Sequence, residues 1–307
     1  VECYNTPSVA MERLKLLIKS LGWRVKAEIV RAVLSLLVMP NRASRSYGLN
    51  GSPRVPKITI SLTSIPSRLS LVHLTIESVM RQTVKPDRIV LWLSKTYKAE
   101  EFAGFDWENL PLPLYDLQKR GLEIRFCEDT GSYRKLIHSI KQFPDDIVIT
   151  IDDDVFYHSD TIEKLYKAYL KNGPDFAYCG RSKIMGVTSK GDLEPYENWP
   201  LSYSSEDNGK NLFFTGTGGV LYPPGVLGEE VLKAEEFLKL APHADDVWFN
   251  AMCLLQGKRV FQIQGKEPVR LGTAKVSALG RLNLHGGRND TQLKAVFDCY
   301  DLYKRLK

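Results

Sequence analysis

The ten residues 145–154, Asp-Asp-Ile-Val-Ile-Thr-Ile-Asp-Asp-Asp, constrain what this chain can fold into more than any other stretch. An apolar, β-branched run without polar alternation predicts a strand covered on both faces, as in a parallel α/β sheet. Ligands in open α/β sheets bind beyond the carboxyl ends of the strands. Here that end carries three adjacent carboxylates, Asp152, Asp153 and Asp154. Their mutual repulsion calls for a compensating charge, and oxygen donors suit a hard divalent ion such as Mg2+ or Mn2+. In an extended chain Asp152 and Asp154 point to one side and Asp153 to the other, so an Asp-x-Asp pair faces one cleft. An acidic turn capping the next helix is the alternative, and the place of the triplet at the end of an apolar strand favours the metal.

The 307 residues give room for one large α/β domain or two modest ones. Five cysteines, at 3, 127, 179, 253 and 299, show no close pairing. That spacing argues for a reducing compartment and against a disulfide framework or structural zinc. The chain opens on Val, so it is expected to be excised from a longer protein or trimmed. The longest apolar run, 32–39, lies between Arg31 and Pro40 and is too short for a transmembrane helix.

The net charge of +6 has a location: residues 1–56 hold nine Lys/Arg and three Glu, and the remainder balances. Two helices are expected there, 11–21 and 23–39, divided at Gly22 and stopped by Pro40, with a polar linker to 56. Basic residues interleave with Leu16, Leu17, Trp23, Val30, Val33 and Leu37. Such a segment suits peripheral contact with an anionic membrane or packing on a neighbouring domain. The neutral remainder argues against nucleic acid.

From 57 onward strands are expected at 57–62, 88–93, 122–127, 147–151, 176–179 and 259–263. Helices are expected at 69–82, 133–143, 161–170, 229–240, 245–256 and 291–306. This alternation predicts one α/β domain over 57–307, with a mostly parallel central sheet flanked by helices and the helical extension 1–56 before it. The rhythm breaks over 181–212, and the segment Phe213 to Tyr222 carries Gly216, Gly218 and Gly219.

Four motifs stand in order: Thr63-Ser64-x-Pro66-x-Arg68 after the first strand, Asp152-x-Asp154, the glycine-rich aromatic segment, and Ala244-Asp245-Asp246-Val247-Trp248. Together they resemble a metal-dependent nucleotide-sugar glycosyltransferase of the GT-A fold, nearest to bacterial enzymes of cell-surface polysaccharide such as O-antigen. The resemblance spans about 57–300 and leaves the N-terminal segment aside, though a bacterial setting would make the membrane facing that segment the cytoplasmic face of an inner membrane. It implies that Thr63, Ser64, Pro66 and Arg68, with Glu128, Asp129 and Lys135, hold the nucleotide. The chemistry agrees: a carboxylate accepts base or ribose donors, while Arg68 and Lys135 can neutralise phosphate. The helix opening at 131–135 turns amides toward an anion. Solvated cations and helix caps are the ordinary alternatives.

The same resemblance implies Asp154 as direct metal ligand, with Asp152 nearer ribose or bound water. Asp153 falls within the cofactor-binding set by position, though its direction favours a structural role. His285, between flexible glycines, is a candidate third metal ligand, and Arg288 in that loop could clamp phosphate. Gly218 and Gly219 would let backbone approach the donor sugar, or serve a tight strand–turn packing site. Asp245 suits a helix cap or acceptor positioning. Asp246 is implied as the general base of an inverting transferase. Tyr196, Trp199 and Trp248 could stack on sugar rings or fill the core.

The expected function is transfer of a hexose from a nucleoside-diphosphate sugar, uridine-linked, to a glycan acceptor, lipid-linked acceptors included. A retaining transferase of the same fold is one alternative. A non-catalytic glycan- or membrane-binding module with a structural cation is another. A sugar nucleotidyltransferase would want a glycine-rich basic loop after the first strand, and 63–68 contains no glycine.

Overall fold

The computed structural model describes residues 23–38, 48–97, 102, 105–202, 205, 208, 210–265, 267–272 and 287–306. A seven-stranded sheet organises them. Strands β1 (Ile58–Thr63), β2 (Arg88–Leu93), β3 (Leu122–Phe126) and β4 (Ile147–Thr150) are parallel, with β1 between β2 and β4 and β3 at one edge. After the two-residue β5 (Val155–Phe156) comes β6 (Phe176–Cys179). A three-stranded side sheet, β7 (Ser182–Ile184), β8 (Leu201–Ser202) and β9 (Leu212–Phe214), follows. Strand β10 (Val220–Tyr222) then enters the main sheet antiparallel between β4 and β6, and β11 (Arg259–Gln262) closes it parallel to β6. Finally β12 (Val269–Arg270) pairs antiparallel with β5.

Eight α-helices occur among the described residues: α1 (Trp23–Val38), α2 (Val72–Met80), α3 (Leu112–Gln118), α4 (Arg134–Gln142), α5 (Thr161–Asn172), α6 (Ala234–Leu240), α7 (Asp245–Leu255) and α8 (Arg288–Tyr300). The period-two pattern of β1 assigns the layers. Ile58, Ile60 and Leu62 join a buried cluster with Val72, Ile76, Leu114 and Leu165, so α2, α3 and α5 cover that face. On the other face Leu136, Val148, Phe237, Phe249 and Val296 belong to a second cluster under α4, α6, α7 and α8. Ser61 of β1 is polar, and its hydroxyl donates to the Lys135 carbonyl and meets Ser139 Oγ at 2.7 Å. Trp92 Nε1 also donates to Ser139 Oγ, at 2.8 Å. This buried polar seam pins α4 against β1 and β2, fixing where the helix starts relative to the strand ends.

Several expected boundaries move for identifiable reasons. Helix α3 adds to the expected helices: Pro111 and Pro113 flank Leu112, and proline is tolerated in a helix's first turn. The expected helix 229–240 is a 3-10 turn, Glu229–Leu232, and then α6, divided where Lys233 adopts extended backbone. The expected C-terminal helix starts earlier, at Arg288, and ends at Tyr300, because Asp301 takes a left-handed conformation with φ of 50°. The glycine-rich segment is two strands in different sheets, β9 and β10, joined by a 3-10 turn at Gly216–Gly218.

Of the N-terminal segment, the expected helix 11–21 lies outside the described residues. Helix α1 buries Leu34 and Val38 in a small cluster with Leu74 of α2 and Leu271. Residues of the expected linker lie along the domain: Asn50 N–H donates to Pro86 O at 2.7 Å, and Arg54 pairs with Asp87 at 3.3 Å. No described helix is long and apolar enough to cross a membrane.

Candidate active site

The acidic triplet leaves β4 at the carboxyl edge of the sheet, and each carboxylate has its own surroundings. Asp153 is buried: its side chain accepts hydrogen bonds from Ser64 Oγ at 2.5 Å and Arg68 Nη1 at 2.6 Å. Its carbonyl accepts from Thr75 Oγ1 at 3.0 Å. Asp153 therefore ties the loop after β1 and helix α2 to the end of β4. Asp152 is held from two sides, its N–H donating to Tyr157 OH at 3.0 Å and its carboxylate 3.2 Å from Lys135 Nζ.

Asp154 differs from both neighbours. Its carbonyl accepts the Leu271 N–H at 2.8 Å, which clamps it beside β12. Its carboxylate takes no hydrogen bond among the described residues, and Arg68 stands 3.9 Å away. Burial, then Asp152 and Asp153, push the Asp154 carboxyl up to about 6. An under-compensated oxygen donor at a cleft fits a divalent cation, which would remove that strain. Among the described residues no group of three His, Cys, Asp or Glu converges on one point. Asp154 and Asp152 would thus share such an ion with non-protein oxygens, and His285 lies outside the described residues.

The second half of the site comes from the start of α7. Ala244 occupies the N-cap position, so Asp245 and Asp246 stand in the first turn, and the expectation of Asp245 as cap is corrected by one residue. Both carboxylates face the positive end of the helix dipole. Lys135, in the first turn of α4 and 7% exposed, places Nζ 2.9 Å from Asp245 Oδ2. It is therefore an ion-paired bridge from Asp152 to Asp245, which corrects its expected role as a phosphate-neutralising cation. Arg68 is likewise committed to Asp153. In both cases a carboxylate of the chain itself occupies the cation.

Asp246 is partly buried, and its Oδ2 accepts the Gly216 N–H at 3.1 Å. Burial, then the Asp245 charge, lift its carboxyl to about 7, with Lys135 acting in the opposite direction. A Cβ at Gly216 would lie 2.9 Å from Lys135 Nζ, 3.1 Å from Asp152 Oδ1 and 3.4 Å from Asp246 Oδ1. Gly216 is thus the point where the two acidic halves meet, and only a bare backbone leaves them room. The expected approach to the donor sugar lay two residues on, at Gly218 and Gly219. A Cβ at Gly218 would meet Arg181 N at 2.5 Å, and one at Gly219 would meet Tyr157 at 3.6 Å. Those two belong to the strand–turn packing, with Gly219 at φ of 77°.

On the nucleotide side, Thr63 Oγ1 donates to Trp92 O at 2.8 Å and accepts from Arg134 Nε at 3.0 Å. The Arg134 guanidinium also pairs with Asp129 and lies 4.7 Å from the Tyr97 ring centre. Tyr97 OH donates to Ser64 O at 2.5 Å, and Asp129 Oδ1 accepts Gly131 N–H at 3.1 Å. Pro66 opens the 3-10 turn that ends at Arg68, and Glu128 is exposed. Arg134 and Tyr97 were not singled out from sequence; the available signal was Arg134 standing beside Lys135 at the helix start. The aromatic candidates fall elsewhere. Trp248 and Trp199 are buried and donate their indole N–H to Val231 O and Glu194 O, and Tyr196 packs 5.0 Å from Trp199. All three are core, and Arg288 opens α8.

Residues 108–221, from before β3 to within β10, match the model of glycosyl transferase family 2. The match contains Asp152, Asp154 and Gly216, and stops before Asp245 and Asp246. One solved structure shows the same fold over most of the chain. The mannosyltransferase PcManGT from Pyrobaculum calidifontis, in complex with GDP-Man and Mn2+, superposes with a TM-score of 0.50 at 14% identity. That comparison covers 90% of this chain and 74% of the other. Looser likenesses include 4-diphosphocytidyl-2C-methyl-D-erythritol synthase (TM-score 0.43, 12% identity, 75% and 99% covered) and S. aureus TarS 1-349 (0.43, 13%, 69% and 59%). No curated protein matches the chain. The domain has the GT-A arrangement, a mostly parallel sheet with one antiparallel strand entering beside β4.

Proposed function

We propose that this glycosyltransferase transfers a hexose from a uridine-linked nucleoside-diphosphate sugar to a hydroxyl of a glycan acceptor, with inversion, in bacterial surface polysaccharide synthesis. The observation that carries the reading is the meeting of Asp152, Lys135, Asp245 and Asp246 around Gly216. Asp152, beside Asp154 at the end of β4, and the candidate base Asp246 come within 3.1 Å and 3.4 Å of where a Gly216 Cβ would stand.

Asp246 takes the acceptor proton. A carboxyl lifted to about 7 is a stronger base than an ordinary carboxylate and is still substantially ionised at neutral pH. With Oδ2 held by the Gly216 N–H, Oδ1 is the oxygen left to face the acceptor. The acceptor oxygen forms its bond to the anomeric carbon as the bond to the diphosphate breaks. Lys135 holds Asp152 and Asp245 in register, so the two halves cannot drift apart. Asp154, with Asp152, would hold Mn2+ or Mg2+, whose chemistry is Lewis-acid stabilisation of the leaving diphosphate. Arg134, Asp129 and Tyr97, beyond β1 and β3, line the side proposed for the nucleoside. The cationic segment 1–56 supports work at an anionic membrane surface on the cytoplasmic side.

The test is transfer activity with Mn2+ in wild type and Asp246→Asn. The variant is expected to lose about 100- to 10,000-fold in kcat, the usual worth of a general base, with donor binding kept. Full activity would remove Asp246 from this role. An α-configured product from an α-linked donor would replace inversion with retention.

A further inference from the structure

A second cavity lies toward the C-terminal end of α7, bordered there by Asn250, Cys253 and Leu254. It has a volume of about 130 Å³, and its floor is apolar, formed by Leu212, Phe213, Val260 and Phe297. Its remaining wall carries four cations, Lys210, Lys258, Arg259 and Arg305, and among the described residues no carboxylate lines it. Lys258 pairs with Asp175, whereas the exposed Arg259 and Arg305 side chains make no ion pair with a described residue. An apolar hollow rimmed by guanidinium groups is an amphiphile's complement: the floor gains from an apolar group leaving water, and arginine binds planar oxyanions through paired N–H donors.

The volume limits the occupant. A cavity of about 150 Å³ holds one benzene ring, so the sequestered part of this one takes a single small ring or a short branched chain. We propose that the cavity is a separate binding site for a small apolar group carrying an anionic head, phosphate or carboxylate. It adjoins the site already described through one residue. Asn250 lines the cavity, donates to the Asp246 carbonyl at 2.7 Å, and brackets Phe214 by accepting its N–H at 2.9 Å and donating to its C=O at 3.0 Å. Two residues after Phe214 comes Gly216, whose N–H holds Asp246. Occupancy therefore presses on the strand and helix that fix the candidate base. The inference rests on the cavity's chemistry and stands whether or not Asp246 is the base.

The experiment titrates phenyl phosphate against the full chain by isothermal titration calorimetry, with inorganic phosphate and phenol as separate controls. Saturable binding of phenyl phosphate is expected, with each control weaker by about tenfold or more, as follows from losing either the charged hydrogen bonds or the buried ring. The double variant Arg259→Glu/Arg305→Glu, altered at exposed positions, should weaken phenyl phosphate by at least about tenfold while keeping the wild-type melting midpoint. Vesicles containing phosphatidic acid will displace the probe if the natural head belongs to a lipid, and leave it bound if the natural ligand is soluble. Absence of saturable binding, equal binding of inorganic phosphate, or binding unchanged in the double variant would overturn the proposal.

Discussion

Asp153 and Asp154 are adjacent and chemically identical, yet their roles separate cleanly. Asp153 is buried with Ser64 and Arg68 on its oxygens, whereas Asp154 has an under-compensated carboxylate at the cleft. Breaking a buried ion pair leaves an uncompensated charge and costs about 3–5 kcal/mol. Asp153→Ala is therefore expected to lower the melting midpoint markedly in thermal denaturation, and Asp154→Ala to leave or raise it while abolishing Mn2+-dependent nucleotide binding. The Asp246 carboxyl supplies a pH prediction. It must be ionised to act, so kcat should rise with pH through about 7 in the metal-loaded enzyme's profile, and fall as the carboxyl protonates below that. The charged groups facing it are Asp245, Lys135 and Asp152. Because its folded value exceeds that of an unfolded carboxyl, this group favours the fold at low pH and withdraws that support as pH rises toward about 7. Asp246→Asn should accordingly melt later than wild type at pH 8, measured without metal, though it is inactive.

At the scale of elements, the site depends on where two helices begin. Helix α4 is registered on β1 by the Ser61–Ser139–Trp92 seam, and α7 is tied to β9 by Asn250. The 3-10 turn at Gly216–Gly218 then brings the carboxylates together. Two substitutions within that turn should part company. A Cβ at Gly216 meets side-chain ends, so Gly216→Ala is expected to fold normally and lose activity by at least about tenfold through displaced Lys135 and Asp152. A Cβ at Gly218 meets backbone at 2.5 Å, so Gly218→Ala should lower stability by about 1–3 kcal/mol in chemical denaturation. The sheet itself was legible in the residues: the strands at 88–93 and 176–179 have the expected bounds, because apolar runs between turn residues read directly as strands. Helix α3 was hidden by its prolines, and the split of 213–222 between two sheets was hidden because local pattern does not say which sheet a three-residue strand joins.

For the whole molecule, the order of motifs along the chain was readable, but their partnerships were not. Nothing in the sequence says that Lys135 faces two carboxylates, because that follows from α4 and α7 converging at one edge of the sheet. The aromatic residues Trp199 and Trp248 were ambiguous for a similar reason, since burial is a property of the assembled fold. The central claim is that the carboxylates at the ends of β4 and α7 form one nucleotide-sugar transfer site. Its most direct test is release of nucleoside diphosphate from a panel of UDP- and GDP-hexoses, with and without Mn2+, by wild type, Asp154→Ala and Asp246→Asn in the presence of a glycan acceptor. The account predicts release by wild type only with the metal, and a loss of at least about a hundredfold in each variant. Undiminished release in either variant, or in chelator, would contradict it.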